Sequence, residues 1–221
     1  SGFERTGDVK GLSMGLDYLA EFLVTPARNI DIAISYSTSR FGKKSQILMT
    51  KDDVTMEILN HPRLVVVPLA ISVYYHMQIS PSFPMDTYFF MGGDYNYAKI
   101  DWTLGSDDFG CEMRLRAKSR GLGLRGGMGY EFVLRGPFKL FAELGGRICD
   151  LKNWHGELIR TADGAEDSSE GDLWKYEEKD VTMDKWYTKV GVSTEEPSGE
   201  NIQNVGRFAG SLSGLSLRMG I

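Results

Sequence analysis

The chain has 221 residues, of which 42% are hydrophobic and 25% charged, and a net charge of −5, values that are typical of a globular domain. It contains no run of the roughly 18 apolar residues that a transmembrane helix needs, which excludes a helical membrane protein. Residues 155–205 hold 13 acidic and 5 basic side chains, a net charge of −8, so the remainder of the chain is slightly basic. This uneven, acidic balance argues against nucleic-acid binding, which requires a basic face.

Alternating polarity predicts seven β-strands along the chain. In each of them apolar and polar side chains follow one another with the period of two that is typical of a half-buried strand. The predicted strands span residues 12–22, 30–40, 64–77, 88–99, 122–134, 138–148 and 213–221.

The connections between these strands alternate in length. Proline, asparagine and glycine indicate tight turns near 24–29, 79–86 and 135–137. The intervening connections are long and polar, and they lie near 42–61, 102–119 and 151–205. This order favours an antiparallel up-and-down β-barrel over a sandwich with Greek-key crossings. We therefore predict one all-β domain over residues 1–221, with a long acidic surface loop at 151–205.

The polar face of the strands indicates what surrounds the barrel. It is built from small residues such as Ser35, Gly92 and Gly127, with single charges of both signs. A solvated exterior has no reason to be rich in glycine, whereas the narrow lumen of an eight-stranded barrel has space only for side chains that interlock. Charges buried in a lumen must pair with one another. The predicted lumen charge network consists of Asp17, Glu21, Arg125, Glu131, Glu143 and Arg147.

Three segments carry a family resemblance. Residues 126–132 and 139–147 resemble the penultimate hairpin of small bacterial outer-membrane β-barrel proteins, and residues 212–221 resemble their closing strand. The resemblance implies a transmembrane barrel of about eight strands in the outer membrane, in contact with its lipid. Because bacterial barrels have an even number of strands, we expect an eighth strand upstream of Ser1, with a strand at 186–192 as the weaker alternative.

The leading functional hypothesis is a structural or surface-interaction protein with long extracellular loops, neither an enzyme nor an open porin. The alternatives are a lipid-modifying enzyme on the same fold and a soluble ligand-binding barrel. Trp154, Trp174 and Trp186 lie in the acidic segment, and tryptophan is enriched at binding hot spots, so they are the candidate residues for binding a protein partner. The competing interpretation is that they cap the barrel mouth.

Other residues carry weaker chemical signals. His76 and Ser80 have no orienting carboxylate nearby in the sequence, so a hydrogen-bonded histidine is favoured over a catalytic pair. The acidic run 163–172 lacks the spacing of an EF-hand, and we predict neither a metal nor a cofactor. The sequence leaves open whether Cys111 and Cys149 form a disulfide.

Overall fold

The computed structural model describes residues 4–6, 17–42, 44–51, 54–78, 85–106, 110–133, 139–162, 164–182 and 184–220. These residues form thirteen β-strands and no helix, which confirms the all-β prediction. The strands are β1 (Glu4–Thr6), β2 (Asp17–Ala27), β3 (Ile30–Gly42), β4 (Ser45–Lys51), β5 (Val54–Gln78), β6 (Met85–Ser106), β7 (Cys111–Val133), β8 (Lys139–Ala162), β9 (Ala165–Asp180), β10 (Lys185–Ser193), β11 (Ile202–Arg207), β12 (Gly210–Ser211) and β13 (Gly214–Gly220).

The strands pair as an antiparallel up-and-down sheet. Its main wall follows the order β2, β3, β5, β6, β7, β8, β13. The β2–β3 turn at Arg28 and Asn29 marks what we call the lower end, where β5 and β7 also end and β6 and β8 begin. The tight turns predicted near 79–86 and 135–137 lie mostly outside the described residues. In the described residues β2 and β13 are the two edges of this wall and do not pair with each other, so the sheet is not closed.

The wall extends well beyond the predicted strands toward its upper end. The segments 42–61 and 102–119, predicted as long polar connections, are mostly strand: β4 and β5 form a hairpin, and β6 and β7 pair from Ser106 and Cys111 downward. β3 and β4 share one register against β5, from Ile30 opposite Tyr75 to Lys51 opposite Val54, so they lie in line along the same edge of β5.

These strand extensions were not predicted from the sequence, because the apolar and polar faces of the strands exchange places there. In the lower half the exposed face of the wall is apolar, as at Leu122 and Leu124. In the upper half of the same strand the buried face is the apolar one, as at Leu115 and Ala117, and the exposed face is charged. A search for one continuous apolar face therefore stops where the two faces exchange character.

The acidic segment 151–205 is not a loop either. It contains the upper part of β8, all of β9 and β10, and the start of β11. Residues 186–192, predicted as the alternative strand, lie within β10, and the neighbouring residues 173–176 lie within β9. The backbone N–H and C=O groups of this polar segment are hydrogen-bonded between strands. β9 pairs with β8 as far as Asp172 and with β10 beyond it.

The sheet branches where β9 leaves β8. Beyond Asp172, β9 lies between β10 and β11, which together form a small three-stranded branch sheet. Gly171 sits at this point with a φ of +152°, and a Cβ there would lie 2.3 Å from the carbonyl carbon of Ser193, so only glycine fits. Arg207 holds the branch through a 3.0 Å ion pair with Asp172, and its guanidinium lies 5.4 Å from the ring centroid of Trp174.

The main hydrophobic core lies at the upper end, between the wall and the branch sheet. Buried residues of the wall pack there against Leu173 of β9 and Val192 of β10. Trp154 is 2% exposed and packs edge-to-face on Phe208, with ring centroids 6.0 Å apart. The branch sheet is therefore part of the folded core and not an appendage of it.

Trp154→Ala tests this packing. We expect it to lower the free energy of unfolding by about 3–5 kcal/mol, because it removes a fully buried aromatic side chain from the core. Trp186, in the same acidic segment, is 40% exposed, and Trp186→Ala should cost less than about 1 kcal/mol. Urea titrations of both variants provide the comparison; similar values for both would contradict the assignment of Trp154 to the core.

Candidate functional site

The inner face of the wall is polar in its lower half. Its buried face carries what we call the interior polar cluster: Ser35, Tyr74, Tyr88, Asp94, Asn96, Arg125, Glu143, Arg147 and Arg218. Alternation along each strand directs these side chains to one face, because neighbouring residues such as Val73 and Tyr95 are exposed on the other.

Two ion pairs anchor this cluster. Arg147 Nε lies 2.8 Å from Asp94 Oδ2, and Arg218 Nη1 lies 3.0 Å from Glu143 Oε1. Each carboxylate has a further partner on β6: Asn96 Nδ2 donates to Asp94 at 2.6 Å, and the Tyr88 hydroxyl donates to Glu143 at 3.2 Å. Both carboxylates are nearly fully buried, and paired charges with additional hydrogen bonds are the form in which ions are tolerated in an interior.

Arg125 spans the interior from β7. Its guanidinium donates to Ser35 Oγ on β3 at 3.1 Å and to the Tyr74 hydroxyl on β5 at 3.4 Å, and it lies 5.4 Å from the ring centroid of Phe90 on β6. The ring of Phe90 in turn stacks on Tyr74, with centroids 5.3 Å apart. A side chain of β7 can reach β3 only if the sheet between them is strongly curled, so the lower half of the wall is a closely filled trough.

Glycines make room for these aromatic side chains. A Cβ at Gly129 would lie 2.3 Å from Cζ of Tyr88, and one at Gly127 would lie 2.7 Å from Cε1 of Phe90. Each large ring of β6 thus occupies the space that a side chain on β7 would take. This close approach explains why the inner face of β7 is rich in glycine.

The structure brings only part of the predicted charge network together. Arg125, Glu143 and Arg147 lie on the inner face but bond to other residues and not to one another. Glu21 is half-buried on β2, and its Oε2 has no hydrogen-bond partner among the described residues. Glu131 is half-buried on β7, opposite Asp86 and Phe141. Asp17 begins β2, and its side chain lies outside the described residues.

The sequence interpretation missed Asp94 and Arg218 as members of this cluster. Both lie on the polar face of a strand, which was a usable signal. Their partners could not be read from the alternation, because Arg218 reaches Glu143 on β8 through the pairing of the last strand with a strand about 75 residues earlier.

The outer face of the lower half is a continuous apolar surface, which we call the apolar belt. Register pairs place its side chains in rows across the wall, for example Ile34 beside Ile71, and Leu124 beside Ile148. Its exposed members include Phe22, Ile32, Ile34, Tyr36, Leu69, Ile71, Val73, Tyr75, Phe89, Met91, Tyr95, Leu122, Leu124, Met128, Tyr130, Phe132, Leu140, Leu144, Ile148, Leu215, Leu217 and Met219. Soluble monomers seldom expose a contiguous apolar patch of more than a few hundred Å².

The three tryptophans of the acidic segment separate into two groups. Trp154 is buried in the hydrophobic core and Trp174 is buried beside Arg207, so neither is available as a contact residue. Trp186 is exposed on β10 beside Tyr187, and Val181 in the β9–β10 turn is also exposed. A hydrogen bond from Lys179 lowers the pKa of Asp184 in this turn below its ordinary value, which keeps the aspartate charged.

His76 has a carboxylate partner that the sequence did not reveal. Its Nε2 lies 3.0 Å from Asp31 Oδ2, and Thr25 Oγ1 donates to Asp31 Oδ1 at 2.6 Å. Ser80 lies outside the described residues, and within them no serine or threonine hydroxyl bonds to His76. Cys111 and Cys149 are both free. The described part of the chain contains no group of three or more metal-ligating His, Cys, Asp or Glu side chains.

No protein-family model matches the chain, and neither a curated protein nor a solved structure is detectably similar to it. Within the described ranges, no helix has the length and apolar character required to cross a membrane. The assignment of function therefore depends on the geometry and polarity of the two faces of the sheet.

Glu143→Ala tests the interior polar cluster. We expect it to destabilise the fold by about 3–5 kcal/mol, because it leaves Arg218 as an unpaired charge in the interior. The control is Glu157→Ala on the same strand, where the ion pair with Arg116 is well exposed and should contribute at most about 1 kcal/mol. Equal effects in urea titrations would show that the Glu143–Arg218 pair is not buried in the folded protein.

Proposed function

We propose that the chain is a bacterial outer-membrane β-barrel that acts as a structural or surface-interaction protein and is not an open porin. The observation that carries the proposal is the exchange of polarity between the two halves of one continuous wall. In the lower half the outer face is apolar and the inner face is polar and charged. In the upper half the outer face is charged and the inner face is the hydrophobic core.

A surrounding lipid accounts for both halves together. Burial of apolar surface is the main favourable contribution to folding, and in the lower half that surface points outward, away from the interior. The belt extends along β7 from Leu122 to Phe132, which at about 3.4 Å per residue and a tilt of about 45° gives a height of about 24 Å. This matches the apolar band of roughly 25 Å on bacterial barrels. A soluble ligand-binding barrel would have the opposite arrangement in its lower half.

The direction of the edge strands indicates how the barrel closes. β2 and β13 both run from the upper to the lower end, since each pairs antiparallel with a strand that runs upward. Antiparallel closure between them thus takes one further strand that runs upward. β10, which contains the alternative strand at 186–192, runs upward but pairs with β9.

The filled interior supports a barrel that does not conduct. Arg125, the two ion pairs and the stacked rings of Tyr74 and Phe90 occupy the trough between opposite strands. A barrel of about eight strands has an interior just wide enough for its own side chains. Passage of a solute would require several of these buried contacts to break together.

The surface-interaction part of the proposal rests on the β9–β10 hairpin. Its exposed side chains Val181, Trp186 and Tyr187 lie at or near the turn of a strand pair that is held to the core at its other end. Exposed aromatic residues on an ordered element are the type enriched at protein interfaces. We assign the protein partner to this hairpin, in place of the extended loop expected from the sequence.

Leu69→Arg and Leu59→Arg form a matched test of the membrane environment. Both residues lie on the outer face of β5 and are similarly exposed, at 50% and 44%, but Leu69 is inside the apolar belt and Leu59 is above it. In lipid, Leu69→Arg should cost about 2–4 kcal/mol near the midplane, and Leu59→Arg close to zero. Folding titrations in lipid vesicles measure both values.

Ala70→Ser is the control for facing, because Ala70 is buried next to Leu69 and lies opposite Ser35 and Asp94. It should be much milder than Leu69→Arg. Equal costs for Leu69→Arg and Leu59→Arg, or folding of the wild-type chain in water without detergent, would refute the membrane proposal.

A further inference from the structure

Basic side chains form a band on the outer face directly above the apolar belt. Arg120 lies opposite Tyr97 on β6, and one row higher Lys118 lies opposite Lys99. The band continues onto β8, where Lys152 pairs with Arg120. On the other side it reaches β3 across β5, because Val65 on β5 pairs with both Lys99 and Arg40. We call this band the basic collar: Arg40, Lys99, Lys118, Arg120 and Lys152.

Most charges of the collar lack an acidic partner in the described part of the chain: no carboxylate lies within ion-pair distance of Arg40, Lys99, Lys118 or Arg120. Lys152 pairs with Asp150 at 3.8 Å, and both side chains are largely exposed. Five cations with one paired anion are unexpected in a chain whose net charge is −5. Like charges directly opposite each other, such as Lys99 and Lys118, destabilise a sheet, and an anion from outside relieves this repulsion.

A cavity continues the positive surface one row above the collar. Its volume is about 200 Å³, and it is lined by His61, Arg63, Asp101, Thr103, Arg114 and Arg116. Arg114 and Arg116 have acidic partners in Glu112 and Glu157, at 3.0 and 3.3 Å. Intramolecular ion pairs therefore resume on β7 immediately above the collar.

We propose that the basic collar binds the phosphate groups of anionic lipids in the leaflet that surrounds the upper rim of the belt. This inference rests on the membrane proposal above. Phosphates lie just outside the hydrocarbon core of a bilayer, which is the height of the collar above the belt. Arginine and lysine bind phosphate oxygens through charge-assisted hydrogen bonds, and each basic residue near an anionic surface strengthens the attraction several-fold. The collar would then hold the barrel at a fixed depth and select anionic lipid as its neighbour.

The experiment compares binding of pyrene-labelled phosphatidylglycerol and phosphatidylcholine to the folded protein in zwitterionic detergent micelles, read as energy transfer from the tryptophans. The collar variant combines Lys99→Gln, Lys118→Gln and Arg120→Gln. The matched control combines Arg160→Gln, Lys175→Gln and Lys185→Gln, three exposed cations away from the belt that change the net charge equally. We expect the collar variant to lose about 100-fold in affinity for phosphatidylglycerol, and the control to keep the wild-type affinity.

Each outcome of this comparison is decisive. A folded collar variant with wild-type affinity, or a control that weakens as much as the collar variant, would overturn the proposed lipid site. If the collar variant does not fold, the single variant Lys118→Gln decides, with an expected loss of about fivefold. Insertion of the wild-type protein into phosphatidylcholine vesicles is measured separately. Failure to insert would overturn the membrane proposal, whereas insertion without a preference for phosphatidylglycerol would overturn only the collar.

Discussion

The rest of the structure depends on the unbroken register between β5, β6 and β7, the three central long strands of the wall. β5 and β6 pair without a shift from Leu59 opposite Gly105 down to Gln78 opposite Asp86. Because side chains alternate with a strict period of two, a residue that faces inward at one end fixes the facing of every other residue on that strand. The strand cannot turn over between its two halves. The change of environment along it therefore has to be written into the sequence as an exchange of polar and apolar positions.

This constraint explains the composition of the interior. In the lower half the inner face is polar. It is filled with paired charges, tyrosines and glycines, which interlock across the curled sheet. Asp94 and Glu143 are each held by an arginine and by a hydrogen-bond donor of β6. Removal of a single partner leaves a buried charge, so the cluster fixes the arrangement of the strands more than it adds to net stability.

The upper half meets the same constraint in the opposite way. Its inner face is apolar and needs a cover, and the branch sheet of β9, β10 and β11 supplies one. Gly171 and the contacts of Arg207 turn β9 away from β8, so that Leu173 and Val192 can pack over Trp154. The acidic side chains that made 151–205 resemble a loop lie mainly on the exposed surfaces of these strands. The segment is thus both solvated and structural.

The sequence by itself determined the local features: the strands of the lower wall, the β2–β3 turn, the facing of Leu69 and Ala70, and the polar character of the inner face. All of these follow from the period of two and from turn residues, which neighbouring positions encode. Only the tertiary structure decided that Arg147 pairs with Asp94, that Arg218 pairs with Glu143, and that 151–205 folds over a core. These contacts depend on curl, on register and on the inverted polarity of the upper half, and residues far apart in the chain fix them jointly.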